Sequence, residues 1–327
     1  MARITYREAI SQALREEMRR DERVFIMGEE VGVWGGSYAV TRGFLDEFGE
    51  KRVKDTPIAE SVIAGAATGA AIAGLRPIAE IMTINFAFLA LDQIVNHAAK
   101  LHYMFNGQIK VPLVIRTVGG GGRQLAATHS QTPDVIFAYF PGLKVVAPGT
   151  PADAKGLLKS AIRDDDPVFF IEHATLYSVR GDVPDDEDYL VPIGVSDIKR
   201  PGKDVTLVSY SKMIQTTLEA ADKLAEQGVD AEVIDLRSLR PLDIQPVIES
   251  VKKTNRLVVI EEGWRSFGIG AEISSTVAEL AFDYLDAPIR RVAQAEVPLP
   301  YNKRLEQLAL PQVDDVIKAA KDVLYLK

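Results

Sequence analysis

At 327 residues the chain is too long for one ordinary core and suits two domains, since single domains run to roughly 100–200 residues. Hydrophobic residues make up 47% and charged residues 26%, a globular composition that excludes the disordered and collagen-like classes, and the net charge of −8 comes without the clustered Lys/Arg of a nucleic-acid surface. With no cysteine, disulfides, thiolate nucleophiles and Cys–zinc sites are excluded, so chemistry must come from carboxylates, imidazoles, backbone groups or a cofactor.

The first residues lack a basic segment followed by a long apolar one, so neither a signal peptide nor a transmembrane span is expected and the cytoplasm is the expected location. Thr5 and Glu8 have the spacing of a capping box and open a helix with Ile10, Ala13, Leu14 and Met18 on its apolar face. Val24-Phe25-Ile26-Met27 reads as a short buried strand, and residues 78–82 and 111–116 as two more. Between them lie a small-residue helix over 60–74 and a helix over 88–100 with Leu91, Ile94, Val95 and Ala98 at helical spacing.

Residues 143–147 form the next strand candidate. Thr150-Pro151 then caps a helix to about Arg163, which Asp164-Asp165-Asp166-Pro167 stops. The continuous apolarity of Val168-Phe169-Phe170-Ile171 suits a strand buried on both faces, as in parallel sheets. An acidic stretch with Asp182, Asp185, Asp186, Glu187 and Asp188 reads as a solvated connection. A second α/β pattern follows, with strands at 205–209, 231–236, 257–261 and 289–292 and helices at 214–227, 244–253 and 271–282. The expected organisation is a domain over 1–180, a connection over 181–192 and a second domain over 193–327, both α/β with mainly parallel sheets covered by helices. Ligands bind such sheets beyond the carboxyl ends of the strands, which directs attention to residues 55–60, 119–131 and 261–270.

Glu60 stands before the apolar, small-residue run 61–71. It reads either as a carboxylate favoured by the dipole of a helix start or as a buried acid poised for proton transfer. His129, in Thr128-His129-Ser130-Gln131, reads equally as a helix-capping histidine or as a loop residue that exchanges protons with a substrate. Gly119-Gly120-Gly121-Gly122 fits no phosphate-binding fingerprint and reads as a flexible or tightly turning loop rather than an anion site. His97, His102 and His173 lack metal-ligand spacing and read as packed or surface residues. Asp92-Gln93 reads as a solvated helical face, and 164–166 as a helix terminator whose carbonyls can bind a cation.

Several stretches, in order and spacing, resemble the E1 β subunits of 2-oxo acid dehydrogenase complexes along nearly the whole chain. They are Val24-Phe25-Ile26-Met27-Gly28-Glu29-Glu30-Val31, Asp55-Thr56-Pro57-Ile58-Ala59-Glu60, Ala73-Gly74-Leu75-Arg76-Pro77-Ile78-Ala79-Glu80, Leu91-Asp92-Gln93-Ile94, His129-Ser130-Gln131, Pro141-Gly142-Leu143-Lys144-Val145-Val146 and Asp153-Ala154-Lys155-Gly156-Leu157-Leu158. Gly35-Gly36-Ser37-Tyr38, Gly263-Trp264-Arg265-Ser266-Phe267-Gly268 and Pro298-Leu299-Pro300-Tyr301 look more like the pyruvate members than the branched-chain or acetoin members.

The resemblance implies a transketolase-like pyrimidine-binding domain followed by a transketolase C-terminal-like domain, and oxidative decarboxylation of pyruvate with acyl transfer to lipoyl groups. The alternatives are acetoin or branched-chain 2-oxo acid chemistry, or a non-catalytic scaffold subunit. The implied cofactor is thiamine diphosphate, with Glu60 bonding the pyrimidine N1′ so that the exocyclic nitrogen can take the C2 proton, and with Ile58 and Phe86 lining the pyrimidine pocket. His129 matches the active-site histidine, and Glu29 an interface acid of a proton path between two sites. Relatives commonly carry Gln or Glu where this chain has Leu89, so such a path omits that residue. Carbonyls of Leu113, Ala161, Asp164 and Asp166 match a potassium site of some relatives. No Gly-Asp-Gly…Asn motif for magnesium and diphosphate is found, so magnesium is expected to be held mainly by an E1 α subunit in an α2β2 heterotetramer, docked to a dihydrolipoyl acyltransferase (E2) core.

Overall fold

Thr5 and Glu8 close the first turn as a reciprocal capping box: the Glu8 amide donates to Thr5 Oγ1 at 3.2 Å and the Thr5 amide to Glu8 Oε2 at 2.7 Å. The computed structural model describes residues 1–326. They divide into two units, residues 1–119 with 136–193, and residues 120–135 with 194–326.

In chain order the elements up to the end of the first unit are β1 (Ala2–Thr5), α1 (Tyr6–Arg20), β2 (Val24–Gly28), α2 (Phe44–Phe48), β3 (Val53–Asp55), α3 (Glu60–Ile72), β4 (Arg76–Ile81), α4 (Ala99–Met104), β5 (Val114–Gly119), α5 (Asp134–Tyr139), β6 (Lys144–Val146), α6 (Pro151–Arg163), β7 (Val168–His173) and β8 (Arg180–Val183). Six of these strands pair in parallel in the order β6-β7-β5-β4-β2-β3. Every residue of β2, β4, β5 and β7 is buried, as strands covered on both faces require.

The periodic stretch expected as one helix over 88–100 is a 3-10 turn at Ile84–Ala90, a π-helical turn at Gln93–Ala98 and then α4. The widened turn still points Ile94, Val95 and Ala98 inward, so the apolar spacing registers burial but not helix type. The stretch 181–192 is not a free connection. β8 pairs antiparallel with β1, Val183 and Val191 are buried, and α6 holds the rest: Ser160 Oγ donates to the Val191 carbonyl at 2.6 Å and Lys155 Nζ to the Pro184 carbonyl at 3.3 Å. Gly156 admits this packing, since a Cβ there would lie 2.4 Å from Val191 Cγ2. Acidic composition hides this because the contacts use backbone carbonyls.

The second unit contains β9 (Asp197–Arg200), β10 (Val205–Ser209), α7 (Met213–Ala225), β11 (Ala231–Asp235), β12 (Ser238–Arg240), α8 (Gln245–Thr254), β13 (Leu257–Trp264), α9 (Ile269–Ala281), β14 (Arg290–Gln294), α10 (Lys303–Ala309) and α11 (Val313–Leu324). Its sheet has the order β14-β13-β10-β11-β9, parallel except for the edge strand β9. α7 and α11 pack together over it through Ala220, Leu224, Val316 and Ala320. Segment 120–135 groups with this unit although it lies between β5 and α5 in sequence. Among the described residues no helix is long and apolar enough to cross a membrane.

α1 packs along α6 through Ile10, Ala13, Leu14, Leu157, Leu158 and Ala161, and this seam carries charge. Glu17 is fully buried, 2.7 Å from Arg163 and 2.8 Å from Arg20, with the buried Lys159 ammonium at 3.9 Å. Removing Glu17 leaves the Arg163 guanidinium with the exposed Asp188 at 3.8 Å, while Lys159 keeps Glu16 at 2.6 Å, so Glu17→Ala should cost about 3 kcal/mol of unfolding free energy through Arg163. Arg20→Ala, at the solvated end of the same cluster, should cost under about 1 kcal/mol. Urea denaturation of the two variants checks the contrast, and equal costs would contradict it.

Candidate active site

The carboxyl ends of β2, β3 and β4 bring together the acids singled out in the sequence. Glu60 is the first residue of α3, 4% exposed, in a turn whose amides favour negative charge. Asp55, at the end of β3, accepts the amides of Gly32 at 2.6 Å and Val33 at 3.3 Å, and the Thr56 amide donates to the Gly28 carbonyl at 2.9 Å. These bonds hold the turn after β2 against the approach to Glu60.

Glu29 lies in that turn, 5% exposed, and its Oε1 finds no hydrogen-bond partner among the described residues. Burial raises its carboxyl above the usual 4.5, and the negative charges of Glu60, Glu30 and Glu80 add to the rise. Glu29 therefore keeps its proton to higher pH than an ordinary glutamate, next to Glu60.

Ile58 is 78% exposed just before α3, and Phe86 is half-buried in the 3-10 turn that packs against α3. Leu89, in the same turn, is exposed. A buried acid at a helix start, a second acid with an unpartnered oxygen and two apolar side chains suit a flat, nitrogen-containing ring, so these residues fit an aminopyrimidine.

Behind these acids lies a buried charge network that the sequence reading did not single out. Arg116 on β5 is 2% exposed and pairs with Glu80 on β4 and Glu172 on β7; its Nη2 donates to Glu172 Oε2 at 2.9 Å, and the Tyr177 hydroxyl donates to the same oxygen at 2.6 Å. Burial alone would favour loss of the guanidinium proton, but Glu172 and Glu80 outweigh it and hold Arg116 charged. The signal was present as one charge inside each of three apolar strands, Ala79-Glu80-Ile81, Ile115-Arg116-Thr117 and Ile171-Glu172.

His129 is exposed in segment 120–135, with Nδ1 3.0 Å from Thr128 Oγ1 and its amide donating to the Ala126 carbonyl at 3.2 Å. It thus belongs to the second unit, while Glu29, Ile58, Glu60 and Phe86 belong to the first. The other histidines have local structural contacts. His173 Nδ1 accepts the Thr175 amide at 3.2 Å, His102 Nδ1 is 2.7 Å from the Ile109 carbonyl, and His97 is 3.4 Å from Asp92. Among the described residues no cluster of His, Asp and Glu could hold a metal ion.

Leu113, Ala161, Asp164 and Asp166 do gather at one corner, between α6 and β7. The Leu113 carbonyl accepts the Val168 amide at 2.9 Å, that of Ala161 the Asp164 amide at 3.3 Å, and that of Asp164 the Arg76 guanidinium at 2.6 Å. Lys144 lies 2.7 Å from the Asp164 carboxylate and 3.1 Å from that of Asp166. Each engaged carbonyl keeps a second lone pair.

A raised carboxyl favours folding at low pH and loses that contribution as pH rises through its folded-state value. Replacing Glu29 by a neutral isostere removes the cost of a buried charge. Glu29→Gln should therefore raise Tm relative to wild type at pH 8, and the gain should shrink toward zero as pH falls to the ordinary carboxyl range near 4.5. A Tm difference that does not vary with pH would contradict the raised value.

The transketolase pyrimidine-binding domain matches residues 2–179 and the transketolase C-terminal domain residues 194–316. The mitochondrial pyruvate dehydrogenase E1 component subunit beta of Dictyostelium discoideum is 51% identical over 98% of this chain and 91% of that protein. The subunits of the same name from Rhizobium meliloti and Rickettsia felis are each 53% identical, over 99% and 98% of this chain and 71% and 98% of their own lengths. A solved chain described as a split gene transketolase, inactive beta4 tetramer, superposes with a TM-score of 0.81 at 25% identity, covering 99% of each chain. Likeness at this level over nearly full length, on two transketolase domains, shows that the chain belongs to the pyruvate dehydrogenase E1 component β-subunit family.

Proposed function

We propose that the chain works as the β half of a thiamine-diphosphate-dependent pyruvate dehydrogenase E1, with an E1 α subunit in an α2β2 heterotetramer that passes acetyl groups to the lipoyl groups of an E2 core. The observation that carries this reading is the buried Glu60 at the start of α3 together with the buried Glu29, whose Oε1 has no hydrogen-bond partner among the described residues. The cofactor supplies the carbanion chemistry when bound. Glu60 bonds the ring at N1′ and holds or releases the proton there. Glu29, whose carboxyl burial and the charges of Glu60, Glu30 and Glu80 push above the ordinary range, belongs to a proton path between two active sites. Ile58 and Phe86 orient the flat ring by apolar contact. His129 stabilises charge or moves a proton as the oxo acid loses its carboxylate and the acyl group passes on.

Magnesium and the diphosphate fall to the α subunit, because this chain carries no motif for them. The split transketolase that superposes on it is described as inactive as a β tetramer, which supports the expectation that this chain alone does not turn over. The reading includes a cytoplasmic location.

The test is pyruvate decarboxylation with thiamine diphosphate, magnesium and an artificial electron acceptor, by this chain with and without its α partner. Activity is expected only in the mixture. Glu60→Gln should lower kcat by at least about 100-fold, the lower range of general acid–base effects, while size-exclusion chromatography shows intact α2β2. Wild-type turnover by this variant would refute the role of Glu60. A mixture silent on pyruvate but active on acetoin or branched-chain oxo acids would move the substrate.

Potassium at the corner formed by Leu113, Ala161, Asp164 and Asp166 is part of the same proposal. Exchanging sodium chloride for potassium chloride at equal ionic strength should raise Tm by about 3 °C, the shift given by roughly 1 kcal/mol of differential ion binding. Equal melting in the two salts would remove potassium from the reading.

A further inference from the structure

The glycine run 119–122 leads from β5 into the loop that carries His129, and its amides are not left for a phosphate. Gly121 N–H donates to Glu262 Oε1 at 2.7 Å and Gly122 N–H to Glu306 Oε1 at 3.0 Å, while Gln124 N–H is 3.1 Å from both Glu306 oxygens. Gly120 N–H donates to the Gln131 carbonyl at 3.2 Å and closes the base of the loop. Glu262 comes from β13 and Glu306 from α10, and both are buried, Glu306 to 1% exposure. Amides pointing into one concavity attract an anion, and here the anions are two carboxylates of the chain itself.

The loop needs such restraint. Gly120 and Gly122 have φ of 88° and 90°, and the non-glycine residues Gln124 and Ala126 are also left-handed, at 57° and 65°. Left-handed non-glycine residues persist where their surroundings over-determine them. Gly121 sits against Leu299 and Leu310, where a Cβ would come within 2.5 Å of Leu299 Cδ1, so the loop is seated on apolar side chains as well as clamped by charge. The Ala126 carbonyl in turn accepts the His129 amide, which links the clamped backbone to the histidine.

We propose that Glu262 and Glu306 are positioning residues that fix the loop over 120–131 and thereby set where His129 sits. The proposal rests on the reading of His129 given above, and it assigns a task to two acids of β13 and α10 that touch no reacting group. Charge-assisted bonds are roughly twice as strong as neutral ones, so removing the charge of Glu306 loosens the loop even where one carbonyl oxygen remains to accept.

The test uses the reconstituted α2β2 enzyme with Glu306→Gln, His129→Ala and the double variant, followed by amide hydrogen exchange over 119–131 and by kcat and KM for pyruvate. Glu306→Gln should speed exchange in the loop by about 10-fold with α11 still protected, and should lower kcat by about 10-fold in the parent but by less than about 2-fold in the His129→Ala background. Unchanged exchange, or a loss that persists in full without His129, would overturn the proposal. If Glu306→Gln does not fold, Glu262→Gln carries the same comparison through the Gly121 amide. Wild-type activity of His129→Ala would remove the role of that histidine and the catalytic half of the proposal, while exchange would still decide the clamp.

Discussion

A parallel sheet covered on both faces offers no water to an ionised side chain, so each charge inside it must find its opposite within the sheet. Arg116 on β5 meets that requirement for Glu80 on β4 and Glu172 on β7, and Tyr177 supplies a further donor to Glu172. The turn that carries Glu29 packs against one member of this network, Glu80. The end of β2 and the loop after it lie close against Glu80: a Cβ at Gly28 would lie 2.6 Å from the Glu80 carbonyl oxygen, and one at Gly36 would lie 2.9 Å from Glu80 Oε1. Glu29 follows Gly28 and begins the turn.

The acids beyond the carboxyl ends of β2 and β3 have different backbone settings. Glu60 stands at a helix start, where backbone amides favour negative charge. Glu29 has an Oε1 with no hydrogen-bond partner among the described residues, and burial with several negative neighbours raises its carboxyl above the ordinary range. Both side chains are buried glutamates, so the difference between their settings comes from backbone placement.

Charge is used differently around the His129 loop. There the backbone supplies the donors, and carboxylates from β13 and α10 supply the negative charge. The glycines serve less as points of flexibility than as positions where a left-handed turn and a close approach to Leu299 are both allowed. The reading of 119–122 as a tight turn agrees with this geometry, but the carboxylates it turns around lie some 140 and 180 residues further along the chain.

What the sequence determined by itself is whatever depends on near neighbours along the chain. Thr5 with Glu8 and Thr150 with Pro151 start helices because capping acts over three residues, and Val168-Phe169-Phe170-Ile171 is a buried strand because its apolarity is continuous. Glu60, Glu29 and His129 could be named from residue type, setting and resemblance. Tertiary structure alone decided that 181–192 is tied to α6, that segment 120–135 groups with the second unit, and that Arg116, Glu262 and Glu306 hold other groups in place. Each of these depends on hydrogen bonds or ion pairs between residues far apart in the chain. Such contacts leave no period or spacing to read, because the partner is chosen by where the fold delivers it.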